Sequence, residues 1–231
     1  MNKTKQSILG AGLLFLSFST LASGPIPHVP EATAWERSDL RAQLSEMTGD
    51  PRRGQQVHGA LMCASCHGET GLSPSRNYPH LAGQRAEYTY KQLLDYREGR
   101  RHEGTGQAQI MYKLAQLLDE RDMQDLAAFY AAQTLPEAKG PSVPAPELVR
   151  EGDPDRLITG CASCHGLDGQ GGRNETPALA GQEPHYFIRT MRAFREYVRT
   201  NDLDEGMAQF AALLSDEEIE ALARYYANAT P

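Results

Sequence analysis

The sequence predicts an all-α chain folded as two tandem domains of similar build. Three observations carry this: a residue pattern that recurs with its spacing intact, a proline-rich stretch between the copies, and the lack of any alternating apolar–polar run that would mark a half-buried strand. The repeat is plainest at Cys63-Ala64-Ser65-Cys66-His67, which returns as Cys161-Ala162-Ser163-Cys164-His165, a shift of 98 positions (161 − 63). The same shift pairs Gly54 with Gly152, Pro79 with Pro177, Leu81-Ala82-Gly83-Gln84 with Leu179-Ala180-Gly181-Gln182, and Tyr88 with Tyr186. From Met111 and Met207 onward the shift is 96 (207 − 111), so the first copy holds two extra residues in the preceding loop. Leu117-Leu118 then matches Leu213-Leu214, and Phe129-Tyr130 matches Tyr225-Tyr226.

Taken in order, residues 1–22 read as a signal peptide. Lys3 and Lys5 precede an apolar and small-residue run from Ile8 to Ala22, and Thr20 and Ala22 supply the small residues before a cut after Ala22. That run is shorter than the roughly 20 residues a membrane span needs. Residues 23–50 are an N-terminal extension without counterpart in the second half. Pro25, Pro27 and Pro30 keep its start extended. Thr33 with Glu36 is positioned to cap a short helix whose Leu40, Leu44 and Met47 share one face, ending near Gly49. Trp35, the only Trp, stands at its start, and the reading is a helix packed over the first domain rather than a partner-binding element.

The first domain is read as residues 51–135, with helices from Pro51 to Met62 and from Arg85 to Arg101. Its last helix is capped by Asp119 with Asp122 and buries Leu126, Phe129 and Tyr130. Residues 136–147 are a semi-rigid linker, broken by Pro136, Pro141, Pro144 and Pro146. The second domain, 148–231, repeats the plan: a helix from Glu183 to Arg199 with Phe187, Met191, Phe194 and Val198 as its apolar stripe, then a Ser215–Glu218 capping box ahead of Ile219, Leu222 and Tyr226. Each domain has about 85 residues, few for a hydrophobic core unaided.

The chain carries 23 basic and 30 acidic side chains, a net of −7. The imbalance is local: residues 23–135 hold 12 basic and 14 acidic groups, whereas residues 136–231 hold 9 and 16. This argues against a nucleic-acid partner, which wants a basic footprint. It suits either a partner with a basic docking patch or simple solubility.

The four Cys decide the chemistry. Two disulfides, a four-Cys zinc site and a thioredoxin-like dithiol are the competing readings. The widely separated pairs speak against zinc, and no βαβ context supports the dithiol. Cys-x-x-Cys-His is the attachment signature of c-type haem. Residues at i, i+3 and i+4 lie on one face of a helical turn. Cys63 and Cys66, and Cys161 and Cys164, can thus bond one haem each while His67 and His165 reach the iron from the same side. The expected cofactors are two covalently bound haem c groups. A duplicated domain should supply the second axial ligand twice in register. Met111 and Met207 match, whereas Met62, Met123 and Met191 face Gly160, Ile219 and Leu93, and no further His is duplicated. His/Met ligation fills both axial positions, raises the potential and leaves no open site for a substrate. Pro79 and Pro177 either present a carbonyl to the free ring nitrogen of the proximal His or merely shape a turn.

With these motifs placed, residues 51–231 resemble the dihaem cytochrome c4 family. The resemblance implies two class I cytochrome c folds related by a pseudo-twofold axis, with the haems near the interface and electrons passing between them. It implies that Gly54 meets Phe129 or Tyr130, and Gly152 meets Tyr225 or Tyr226, where first and last helices cross. It further implies a periplasmic electron carrier, soluble or loosely membrane-associated. Such a carrier takes electrons from a quinol-oxidising complex or dehydrogenase and delivers them to a haem–copper oxidase. Two rivals share the cofactor. One is the haem subunit of a dehydrogenase complex. The other is a dihaem enzyme of the peroxidase or thiosulfate dehydrogenase type, which needs an open or Cys-ligated iron.

Overall fold

The computed structural model describes residues 35–173 and 175–231. The segment read as a signal, the prolines of the extension and Thr33 lie outside the described residues. Among the described residues the regular structure is helical, apart from one pair of two-residue strands and an isolated bridge.

Helix α1 (Arg37–Ser45) starts after Glu36, whose own side chain caps nothing. Leu40 is buried in the first core, with Leu44 and Met47 packed beside it. Helix α2 (Pro51–Ala60) has Pro at its first position, where a missing N–H is harmless, and Asp50 accepts from the N–H groups of Arg52 and Arg53. It ends short of Met62, which turns the chain with a φ of +53°. Then follow α3 (Ala64–His67), α4 (Ala86–Arg97), α5 (Gly106–Ala115) and α6 (Glu120–Ala131). Asp119 and Asp122 close α6 with a reciprocal capping box.

Helices α2 and α6 cross at Gly54. A Cβ there would sit 2.0 Å from the Asp125 carbonyl oxygen and 2.8 Å from Phe129 Cβ, so only Gly permits the approach. Arg53 fastens the same crossing by pairing with Asp122 at 2.6 Å and with Asp125.

The second half opens differently. The linker lies along this half: Lys139 N–H donates to the Ala227 carbonyl at 3.1 Å, and its ammonium pairs with Glu183. A single turn, α7 (Glu147–Arg150), leads into β1 (Gly152–Asp153), a 3₁₀ turn (Pro154–Arg156) and β2 (Ile158–Thr159), the strands pairing antiparallel. Gly152 therefore does not meet Tyr225 or Tyr226. It takes a φ of +79°, and a Cβ on it would strike the Ile158 carbonyl at 2.1 Å. Pro154 is the cause. It forces Asp153 into extended backbone (φ −141°, ψ 95°) and so excludes the helix its position in the repeat would suggest. One tie survives the change: Arg156 pairs with Glu218, as Arg53 does with Asp122.

Helices α8 (Ala162–His165), α9 (Pro184–Arg195), α10 (Gly206–Ala211) and α11 (Asp216–Ala227) complete the half, with the Ser215–Glu218 box in place. Its core gathers Val149, Ile158, Phe187, Phe194, Ile219 and Tyr226. Both long middle helices stop earlier than their composition suggests, at Arg97 and Arg195. Gly99 (φ +74°) and Tyr197 (φ +53°) then reverse the chain, so Val198 is exposed rather than part of the stripe. The reversal turns Arg101 and Arg199 inward, both nearly fully buried.

Candidate functional site

Each Cys-x-x-Cys-His turn is one short helix, α3 or α8, that leaves two free thiols and an imidazole beside a cavity. His67 Nδ1 lies 3.1 Å from the Pro79 carbonyl oxygen, and His165 Nδ1 lies 3.0 Å from that of Pro177. A carbonyl only accepts, so Nδ1 carries the proton and Nε2 keeps its lone pair. Burial pushes both imidazoles below the ordinary histidine pKa, which favours that neutral form. Burial also pushes the thiols of Cys63 and Cys161 upward, the opposite of what a nucleophilic dithiol needs. Among the described residues, no group of three or more His, Cys, Asp or Glu is placed to hold a metal ion.

Met111, on α5, and Met207, at the start of α10, are half-buried and line the same apolar cavity as the two motifs. That cavity is continuous across both halves. The Met207 N–H is held by Asp202 at 2.5 Å. Met123 and Met191 are core residues and Met62 is exposed. All ten residues singled out in the sequence are therefore brought to one cavity wall, in two matching sets.

What the sequence reading missed is a buried polar seam between the halves. Arg101 donates to the Tyr186 hydroxyl at 3.2 Å, and Arg199 to the Tyr88 hydroxyl at 3.2 Å, a reciprocal exchange between the halves. Gln92 Oε1 accepts from both arginines, at 2.9 and 3.0 Å. Glu103 pairs with Arg101 at 2.6 Å. Burial alone would raise the Glu103 carboxyl, but Arg101 and Arg199 more than offset it and hold the pKa low. The same two cations outweigh burial at Tyr186 and bring its hydroxyl down to about 8. Lys91 pairs with Asp95 at 2.6 Å and donates to the Asn201 carbonyl, while Trp35 Nε1 donates to Asp95. The extension is thus tied to both halves: Trp35 bridges to Leu203 and Arg37 pairs with Asp204 at 2.7 Å. The available signal was the register itself, since Arg101 and Arg199 are also 98 positions apart (199 − 101).

The protein-family model described as cytochrome c matches residues 51–132, and that for the cbb3-type cytochrome c oxidase subunit III matches residues 157–225. Cytochrome c4 of Thiocapsa roseopersicina is 36% identical over 197 residues, covering 81% of this chain and 97% of that protein. The chain belongs to the cytochrome c4 family. Reduced recombinant cytochrome c4 from Pseudomonas stutzeri has a TM-score of 0.67 at 32% identity, covering 79% of this chain and 100% of that one. A thiosulfate dehydrogenase electron acceptor of Stutzerimonas stutzeri is 33% identical over 208 residues, covering 84% of this chain and 94% of its own length.

A cytochrome c4 chain carries two covalent haem c groups, and the residues here fit them. Each half offers two unpaired thiols, an imidazole with its lone pair facing an apolar cavity, and a thioether on the wall. The seam adds a surplus of positive charge, with Lys91, Arg101 and Arg199 set against Asp95 and Glu103, and Arg199 Nη1 is buried without a partner. That surplus suits the carboxylates a haem bears. Among the described residues no helix is long and apolar enough to cross a membrane.

Proposed function

We propose that the chain is a periplasmic dihaem electron carrier, with His67 and Met111 the axial ligands of one iron and His165 and Met207 those of the other. The observation that carries this is the duplicated set: one proximal imidazole, one pair of thiols and one thioether per half, in register, on the wall of one cavity. Each bound haem supplies a reversible one-electron couple. Cys63, Cys66, Cys161 and Cys164 tether the groups, and the Pro79 and Pro177 carbonyls hold the imidazole rings and raise their basicity. Closed His/Met coordination favours a carrier over a peroxidase or thiosulfate dehydrogenase, because no position is left for substrate. The donor is a quinol-oxidising complex or a dehydrogenase, and the acceptor is a haem–copper oxidase. The relative described as a thiosulfate dehydrogenase electron acceptor favours a second reading, in which the donor is a thiosulfate-oxidising enzyme.

The test is carbon monoxide binding to the reduced holoprotein, alongside turnover with peroxide and thiosulfate. The native protein should bind no carbon monoxide and turn over neither substrate, while Met111→Ala and Met207→Ala should each open one iron. Failure of both variants to bind the gas refutes the ligand assignment, and turnover by the native protein refutes the carrier role.

A further inference from the structure

The repeated Leu-Ala-Gly-Gln stretches end in two glutamines that the haem sites do not use directly. Gln84 and Gln182 are both buried. Each reaches across the seam into the other half. Gln84 Nε2 donates to the Ala178 carbonyl at 3.0 Å, and its Oε1 accepts from Ala178 N–H at 2.8 Å. Gln182 does the same to His80, at 3.0 and 2.9 Å. Each Oε1 also accepts from the next backbone N–H, Arg85 or Glu183, at 2.9 Å. Two N–H donors on one atom and a carbonyl on the other fix which way each amide points.

The residues gripped are the ones that follow Pro177 and Pro79. Ala178 N–H and the Pro177 carbonyl belong to one peptide unit, and that carbonyl accepts from His165 Nδ1. His80 N–H and the Pro79 carbonyl form the matching unit for His67. These peptides are trans, so N–H and C=O point in opposite directions from one rigid plane. The result is a hydrogen-bonded chain: glutamine oxygen in one half, peptide unit, imidazole in the other half. Successive hydrogen bonds polarise one another, and the effect is larger in a buried, low-dielectric setting.

We infer that Gln84 is a positioning residue for His165 and Gln182 for His67, each acting through a single peptide unit to tune the haem of the opposite half. This rests on the proximal-ligand roles proposed above. An oxygen on the peptide N–H makes the proline carbonyl a better acceptor, which makes the imidazole a more electron-rich ligand and favours the oxidised iron. Removing that oxygen should favour reduction of the distant haem and leave the near one alone.

The experiment is a redox titration of the holoprotein labelled with 15N-histidine, in which the Nδ1–H resonances of His67 and His165 report each site. Gln84→Met removes both bonds to Ala178, and with them the one from Arg85 N–H, at nearly constant volume. It should raise the reduced-to-oxidised ratio of the second haem about threefold at fixed potential, if polarisation contributes about a tenth of the strength a hydrogen bond has in an apolar medium. At 59 mV per tenfold for one electron, that is about 28 mV. It should also move the His165 Nδ1–H resonance and leave that of His67 in place. Gln182→Met should give the mirror result. Gln84→Glu keeps the acceptor on Ala178 N–H, so it should leave the second haem's potential unchanged or lower it. Loosening of the seam would instead move both variants the same way. Equal shifts at both haems, shifts at the near haem, or the same sign for Met and Glu overturn the inference. Absence of ring-current-shifted Nδ1–H resonances in the native protein overturns the ligand reading instead.

Discussion

Gly54→Ala puts the crossing of α2 and α6 to a quantitative test. The new methyl carbon would lie 2.0 Å from the Asp125 carbonyl oxygen and 2.5 Å from its carbon, both backbone atoms that no rotamer change can remove. Ordinary contact begins near 3.4 Å, so the helices must part by about 1.4 Å (3.4 − 2.0) or bend. Overpacking of this kind costs about 1–3 kcal/mol, and a backbone obstacle places it toward the upper end. Ala offsets about 0.5–1 kcal/mol of this through its better helix propensity. The net loss of about 2 kcal/mol lowers the melting temperature of two halves that melt together by roughly 4–8 °C. Gly59→Ala on the same helix is the control. Nothing lies within 4 Å of the position its Cβ would take, so only the propensity gain remains and the midpoint should rise by a few degrees. Calorimetry or far-ultraviolet circular dichroism of the holoprotein reads both. A Gly54→Ala protein that melts at or above the native midpoint would refute the packing argument.

Two further outcomes follow from the same contacts. Burial holds His58 below the ordinary histidine pKa, and burial with nearby Lys139 does the same at His80, while the matching positions in the second half are Arg156 and Ala178. Both groups are neutral when folded and take up protons more readily when unfolded. First-half stability should therefore fall as pH drops through about 6.5 and stop falling below the depressed native pKa; a first-half denaturant midpoint unchanged on acidification counts against this. Trp35→Ala removes a buried ring that touches both halves and should cost about 3–5 kcal/mol. Calorimetry should then show the halves melting more independently, and an unaltered single transition would contradict the tie.

Much of the fold and of the candidate site was legible because it is written locally and twice. The Cys-x-x-Cys-His turns, the capping boxes at Asp119 and Ser215, and the matched Met111 and Met207 each depend on residues close in sequence or in repeat register. The opening of the second half departs from what the family resemblance implies because of a single residue, Pro154, which forbids the helix. The helix ends at Arg97 and Arg195 turn on left-handed residues, and Tyr197 carries no composition signal for one. The seam was hidden for another reason. Lys91, Asp95 and Asn201 look like ordinary surface residues on their own segments, and only their meeting across about a hundred positions makes them interior.

The polar character of that seam bears on how the chain is made. Residues 35–135 are synthesised before residues 136–231, so the nascent first half must wait with its future interface open to water. An apolar interface would invite aggregation during that interval. Here the waiting surface presents Lys91, Asp95, Arg101 and Glu103, which water solvates well until Arg199 and Asn201 arrive. Trp35 is the exception, and it can be fully covered only once Leu203 exists to bridge it. Trp35, ahead of both repeats in the sequence, is thus covered only when both halves are in place.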